Sequence, residues 1–384
     1  MAAATSALAC VSAVASAQNP FKHQGLDAMH APDSAMPNES VDPASGTLTI
    51  VETDLALPGN AGFNLAVQRV YNSGVYPDYD SGGSTALEED SWAGIGWRLH
   101  FGRILHSDST SAGQIQVEMG DGSRHPFYHS IGNPNIWTTS DFWQYNAATH
   151  TLLIPNGLVY IFDREIYLND RLGTVRYVTE IHDPFNNRVT FSYFDASGPP
   201  DGIAQVRQYL SATQIREINF TYDAVYKALR TMTYGSRTCT YDHNPSGPSG
   251  YSLLMAVHAP EGPGYAYDYG GSGAAQELTT LHTLFGGAIT YTYADSVRRA
   301  GTYTTTTRVV TQRTLSGHDV PAGSTTTFAY GTGMNQDTTV ITTPCNAVTR
   351  YRFDGTGVTA DFAGWRAGTL VDITVEELGG ATLE

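Results

Sequence analysis

From Gly46 onward the chain alternates. Leu48 and Ile50 fall on one face with Thr47 and Thr49 on the other, and Phe63, Leu65 and Val67 then alternate with Asn64, Ala66 and Gln68. A period of two is what a half-buried strand imposes, because successive side chains point to opposite faces. Pro58-Gly59-Asn60 lies between the two runs and predicts a turn, since proline presets the first bend and Gly or Asn tolerates positive φ in the next. Further strands are expected at Leu99 to Leu105, Gln114 to Met119, Leu152 to Ile154 and Val159 to Phe162. Gly120-Asp121-Gly122 and Pro155-Asn156-Gly157 supply turns between them. No convincing amphipathic helix is found there. Residues 18–45 are polar, broken by Pro20, Pro32, Pro37 and Pro43, and read as a linker or irregular lead-in.

From about Arg176 a repeat takes over. An aromatic, one spacer and a second aromatic recur as Phe191-Ser192-Tyr193, Phe220-Thr221-Tyr222, Tyr265-Ala266-Tyr267, Tyr291-Thr292-Tyr293, Phe328-Ala329-Tyr330 and Tyr351-Arg352-Phe353. Cys239-Thr240-Tyr241 fits with one substitution. The second aromatics fall at 193, 222, 241, 267, 293, 330 and 353, at intervals of 29, 19, 26, 26, 37 and 23 residues, a loose but real period. Several copies are followed by an acid, which is expected to end the strand. The repeat signature is therefore Tyr193, Tyr222, Asp223, Tyr241, Asp242, Tyr267, Asp268, Tyr293, Tyr330, Phe353 and Asp354, in a structural role. Two strands and their turns consume roughly 20 to 26 residues, so one period supplies one hairpin. Phe220 and Tyr222 would share one face and Thr221 and Asp223 the other. Successive units would then stack aromatics as cross-strand pairs in an array extending along one dimension.

Composition supports an all-β chain: 23 Tyr, 39 Gly and 18 Pro accompany many Thr in 384 residues. The net charge of −16 repels phosphate backbones and anionic lipid surfaces, which argues against nucleic acid as a partner. At the N-terminus a mildly apolar stretch around Ala7-Leu8-Ala9-Cys10-Val11 precedes Ala15-Ser16-Ala17, a small-x-small cleavage pattern. Residues 1–17 thus read as a signal peptide and the protein as secreted or at the cell surface. No other stretch approaches the roughly 18 apolar residues of a membrane span. Cleavage would leave Cys239 and Cys345, either as one disulfide or as two free thiols.

The Tyr-Asp pairs at 222 and 241, Asp183-Pro184 to Tyr193, Val41-Asp42-Pro43 to Gly46, Arg69-Val70-Tyr71-Asn72-Ser73, Gly94-Ile95-Gly96-Trp97-Arg98-Leu99, Asp121-Gly122-Ser123-Arg124 and Pro155-Asn156-Gly157 follow one another in order. Over about residues 38 to 384 this succession resembles the amino-terminal pattern of the RHS/YD-repeat family. The resemblance implies antiparallel β-hairpin repeats forming a spiralling sheet, a partial shell of the kind that encloses or displays cargo in toxin-complex cocoons and teneurin ectodomains. Residues 46–170 would form the amino-terminal β region of that shell and 171–384 its YD-type hairpins. Shell-forming members are several times longer, so the expected partners are a carboxy-terminal continuation or another shell subunit. A pairing-competent edge is expected near residues 369 to 377.

Catalytic and cofactor chemistry has little support. His125 and His129 with Asp121 would share a face in a strand, but their three-residue gap suits a helix, which Pro126 and the preceding turn oppose. Glu88-Glu89-Asp90 reads as a solvated loop before a carboxylate pair, and Asp78-Tyr79-Asp80 lacks a calcium loop's closing Glu. Ser123 lacks the second Gly of a nucleophile elbow. No catalytic, metal or cofactor site is expected, and the chain is not expected to be an enzyme. The alternative to a structural role is a carbohydrate-binding surface built on Trp92, Trp97, Trp137 and Trp143, for which the partner would be a polysaccharide.

Overall fold

The computed structural model describes residues 33–59, 62–74, 92–105, 115–130, 132–169, 173–194, 202–245, 252–270, 276–300, 303–332, 336–354, 370–376 and 382–383. The cleavage pattern at Ala15-Ser16-Ala17, the acids Glu88-Glu89-Asp90 and the turn Asp78-Tyr79-Asp80 lie outside them. Every element of the described residues is a β-strand or an isolated bridge, and all pairings are antiparallel. No helix there is long and apolar enough to cross a membrane.

The strands form three sheets. The first has four strands, Glu39–Val41, Leu48–Leu57, Leu65–Asn72 and Trp97–Arg98, paired in that order. It begins inside the stretch 18–45 read as a lead-in: Glu39–Val41 is buried throughout, with Glu39 opposite Ile50 and Val41 opposite Leu48. The second has five strands, in the order Arg164–Asn169, Gly173–Tyr177, Arg103–Leu105, Gln116–Glu118 and Arg124–Pro126. Its hairpin 164–177 straddles position 170, where the expected regions divide. The third is the repeat ribbon, in which strand follows strand from Tyr128–His129 through Arg188–Tyr193 and Ile203–Leu210 to Leu370–Glu376 and Thr382–Leu383, and the sheet closes on itself as a barrel.

The hairpins have chemical reasons for turning where they do. Asp183 accepts the backbone N–H of Phe185 at 2.9 Å and of Asn187 at 2.8 Å, and Asn186 takes the left-handed φ of 65° that closes the turn. Asp223 caps Val225 and Tyr226 in the same way, which is how the acid after the second aromatic ends its strand. These N–H bonds hold its carboxyl below the usual range.

The ribbon is one-sided. Along Thr213–Tyr222, Ile218 and Phe220 are buried while Asn219 and Thr221 are exposed. The outward threonines pair across strands, as Thr221 with Thr231 at 2.6 Å. The buried face, however, does not simply stack hairpin on hairpin. One hydrophobic core runs from Val41 to Phe353 and includes residues of the first sheet and of the ribbon together. The one-dimensional array is corrected accordingly: the ribbon wraps its inner face around the four-stranded sheet. Rings meet across this boundary, Phe101 with Phe191 at 4.6 Å, Trp92 with Tyr222 at 5.2 Å and Trp97 with Tyr267 at 4.8 Å. Farther along the ribbon, Val310 N–H donates to Gly46 O at 2.9 Å and Thr339 Oγ1 to Pro43 O at 2.6 Å.

Candidate functional site

The repeat signature and the first sheet meet in a buried seam that holds a network of charged and phenolic groups. In most units the first aromatic is buried, as Phe191, Phe220, Tyr291 and Phe328 are. The second sits at a slip of register: Ser192/Tyr193, Thr221/Tyr222 and Thr292/Tyr293. Such a bulge turns the ring partly out of the core and lets its hydroxyl reach the preceding strand. Tyr193 donates to Val178 O at 2.6 Å, Tyr222 to Ile203 O at 2.8 Å and Tyr293 to Leu278 O at 2.8 Å; Tyr330, whose strand pairs without a slip, makes the same kind of bond to Val310 O at 2.9 Å.

Two units are framed differently from the sequence reading. In Tyr265–Gly270 the slip falls at Asp268/Tyr269, and it is Tyr269 that donates to Leu254 O at 2.8 Å. Tyr267 is thus the inner aromatic, not the outer. In Arg237–Asn244 the slip falls at Asp242/His243, so Tyr241 is the inner residue and His243 takes the outer place, directed at the backbone of Leu229. Burial and the Arg69 charge lower the His243 pKa to about 4, so the ring is neutral at pH 7. Asp242 and Asp268 lie on the outer face, paired with His258 at 2.8 Å and His282 at 2.7 Å. Phe353 is buried although it stands at a slip, and Asp354 is opposite Gln336.

The inner tyrosines meet charged groups from the first sheet. Arg69, fully buried, makes a bidentate pair with Asp54 at 2.6 and 2.8 Å and lies 4.9 Å from the centre of the Trp97 ring. Tyr241 donates to Asp54 Oδ2 at 2.8 Å, and Arg69 Nη1 reaches the Tyr267 hydroxyl at 3.4 Å. Glu52 is bonded by Asn38 Nδ2 at 2.8 Å and by the Tyr265 hydroxyl; burial pushes its carboxyl up to about 7 against the Arg69 charge. At the far end Arg313, from Tyr303–Ser316, pairs with Asp33 at 2.7 Å and with Glu39 at 3.4 Å. Burial raises the Glu39 carboxyl, with Arg313 opposing.

A second buried cluster lies in the five-stranded sheet. Glu118 receives Arg98 at 2.7 Å, Arg103 at 3.1 Å, Arg124 at 3.0 Å and His100 at 3.1 Å. Burial opposes its ionisation, but the three guanidiniums outweigh that and hold the carboxyl well below the usual range.

The structure separates the histidines considered for a metal. His125 lies in Arg124–Pro126 of the five-stranded sheet and His129 in Tyr128–His129 of the ribbon, where it bonds to Pro134 O. No group of three or more His, Cys, Asp or Glu among the described residues is placed to hold a metal ion. His125 instead stands between Ser123 Oγ at 3.3 Å and Asp141 Oδ2 at 2.8 Å, the order of a hydrolytic triad that the sequence did not disclose. Ser123 is 1% and His125 2% exposed, and Trp143 stacks on the imidazole at 4.0 Å. A nucleophile so covered cannot meet a substrate, and the arrangement clamps the five-stranded sheet to the turn before Gln144–Asn146. A groove of about 610 Å³ opens between the first sheet and the ribbon, lined by Phe63, Phe101, Leu158, Tyr160 and Phe191 among others; Ser123 and His125 are not in it.

Trp92, Trp97 and Trp143 are buried and Trp137 half-buried, which removes most of the flat aromatic surface on which sugar recognition was expected. Cys239 is a buried free thiol, so it forms no disulfide with Cys345.

A family model described as a domain of unknown function (DUF6531) matches residues 38–127, from just before the first sheet to the end of Arg124–Pro126. Among solved structures, the N-terminal domain of effector protein SpvB from Salmonella typhimurium strain LT2 aligns with 60% of this chain and 98% of its own, at 12% identity and a TM-score of 0.27. TcdB2-TccC3 aligns with 70% of this chain and 17% of its own, at 12% identity and 0.31. The Tc holotoxin pore of Photorhabdus luminescens aligns with 80% and 18%, at 12% identity and 0.30. The chain thus spans less than a fifth of the length of those two Tc chains. No curated protein matches the sequence.

Proposed function

We propose that the chain is an exported, non-catalytic wall segment of an RHS/YD-type shell, in which the first sheet fills the start of the wall and the ribbon's last strands receive further strands of the same kind. The observation that supports this most is a change in burial along one face. Upstream, the inner residues Phe328, Ile341 and Phe353 are covered. On Leu370–Glu376, Ile373 stands opposite the buried Tyr351, yet Val371, Ile373 and Val375 are 44%, 40% and 36% exposed. The sheet closes through Thr382–Leu383, but that short strand pairs only with Val375 and Glu376 of Leu370–Glu376, so the edge from 370 to 374 is open among the described residues. An apolar inner face beside an open edge fits the addition of another alternating strand.

Sedimentation of the chain with and without Val371→Lys and Ile373→Lys tests the reading. Association that the two substitutions reduce is expected. A chain that stays monomeric at high concentration, with amide exchange over 370–376 as slow as over Ile203–Leu210, would overturn it. The export half rests on Ala15-Ser16-Ala17 and expects secreted material to begin at Gln18. Exported protein retaining Met1 would remove it.

A further inference from the structure

We propose that the seam between the first sheet and the ribbon is a proton-controlled latch, in which Glu39 and Glu52 hold the sheet in place while protonated and loosen it as they ionise. The inference is independent of how the wall is completed.

Arg69 commits both of its parallel bonds to Asp54, at 2.6 and 2.8 Å, and Glu52 on the same strand is left with the neutral donors Asn38 and Tyr265. Arg313 makes its short contact with Asp33 at 2.7 Å and reaches Glu39 only at 3.4 Å. The two buried glutamates thus share arginines that are already paired with aspartates. A carboxylate taken from water without its own counter-charge ionises at a large cost, and it takes up a proton instead.

Unpaired atoms make the same point at Glu39. Its Oε1 is buried without a hydrogen-bond partner, and so is the hydroxyl of Tyr291, which lies beside it. A carboxylate oxygen that receives no donor in a dry seam is poorly placed to carry charge, so the missing contact favours the neutral acid. The groups facing Glu39 are Asp33, Arg313 and Tyr291; those facing Glu52 are Asp54 and Arg69 from its own sheet and Tyr265 and Tyr267 from the ribbon. None of these partners is an unshared cation.

Both glutamates belong to the first sheet and both of their phenolic neighbours to the ribbon, so ionisation acts on the docking of one upon the other. The sign follows from linkage. Each carboxyl titrates higher in the docked state than in water, so its stabilisation is complete at low pH and is lost as pH rises through the docked value, about 7 for Glu52. Buried neutral His100 and His243 carry the opposite sign, since their protonation is disfavoured on burial and stability falls as the solution is acidified. Their effect lies mainly below about pH 6.5. Histidine protonation still acts at the lower end of the window from pH 6 to 8.5, so the glutamates are isolated by comparing wild type with the glutamine variants across it.

Hydrogen exchange of the full chain, corrected for the pH dependence of intrinsic exchange, should show a Glu52-dependent increase in opening of Leu48–Leu57 of about 10-fold from pH 6 to 8.5, most of it complete by pH 7.5, as expected for one carboxyl shifted from 4.5 to about 7. Glu52→Gln, which fixes the neutral form, should flatten that rise, and Glu39→Gln should lower opening at pH 8.5. An unchanged profile in both variants, or opening at pH 8.5 no greater in wild type than in Glu52→Gln and Glu39→Gln, would overturn the latch. If either variant does not fold, infrared spectra of the wild-type chain decide: a protonated-carboxyl carbonyl band at pH 6 that fades by pH 8.5 supports the proposal, and its absence at pH 6 refutes it.

Discussion

At the residue scale, the second aromatic of the repeat acts through its hydroxyl and the first through its ring. Removing the hydroxyl alone in Tyr293→Phe leaves a carbonyl without this donor and should cost about 1 kcal/mol; Tyr269→Phe also removes the acceptor of the Trp97 indole N–H, which donates to that hydroxyl at 2.9 Å, and should cost more. Truncating an inner ring, in Tyr267→Ala, should cost about 3 to 5 kcal/mol. Thr292→Ala, on the exposed outer face, should stay within about 0.5 kcal/mol. Denaturant midpoints check the order, and equal losses at Thr292 and Tyr267 would mean that the sheet is covered on both faces. The sequence disclosed these rings but not their frame. Tyr265, Tyr267 and Tyr269 alternate with small or acidic spacers, and a period of two cannot say which pair straddles the bulge. His243 carries no such signal, because an imidazole is neither of the ring types that mark the repeat.

At the scale of elements, strand positions were legible wherever alternation was strict. Leu48–Leu57, Leu65–Asn72 and the ribbon strands lie where the pattern puts them; in the ribbon a one-sided sheet writes its buried face directly into the sequence, whereas Leu48 to Glu52 is buried on both faces, Thr49 included. The polar seam left a signal that the pattern also carried. Arg69 follows Leu65 and Val67 in the apolar register, and Glu52 and Asp54 follow Leu48 and Ile50 in the same way. A charged residue in the apolar register marks a place where the covering surface is itself polar. What covers it could not be read: Arg69 is 198 residues from Tyr267, and strand periodicity carries no information at that range. The short strand Glu39–Val41 was hidden for a different reason, since three residues flanked by Pro37 and Pro43 cannot establish a period.

At the scale of the whole molecule, the difference between a stacked array and a wrapped core decides how it unfolds. In an array each hairpin depends on its neighbours, and stability changes stay local. Here strands from Arg188–Tyr193 to Gln336–Thr342 rest on the same four-stranded sheet, so damage to that sheet withdraws the support of the ribbon at many places at once. Gly96 provides the test. It has a φ of 78°, which side chains other than glycine's rarely adopt, and an added Cβ would stand 2.5 Å from Cε2 of Tyr71, whose hydroxyl accepts the N–H of Leu278 in the ribbon at 3.0 Å. Gly96→Ala should therefore destabilise the sheet by roughly 1 to 3 kcal/mol or more through backbone strain and displacement of Tyr71. If the core is shared, wild type should unfold in one cooperative step, and the variant should move the whole transition while keeping its slope. Exchange of amides in Glu277–His282 and Ile203–Leu210 should accelerate together, although neither strand contains the substitution. Separate transitions for the first sheet and the ribbon, or acceleration confined to residues near 96, would show that the ribbon stands without its filling and that the wall is built hairpin by hairpin.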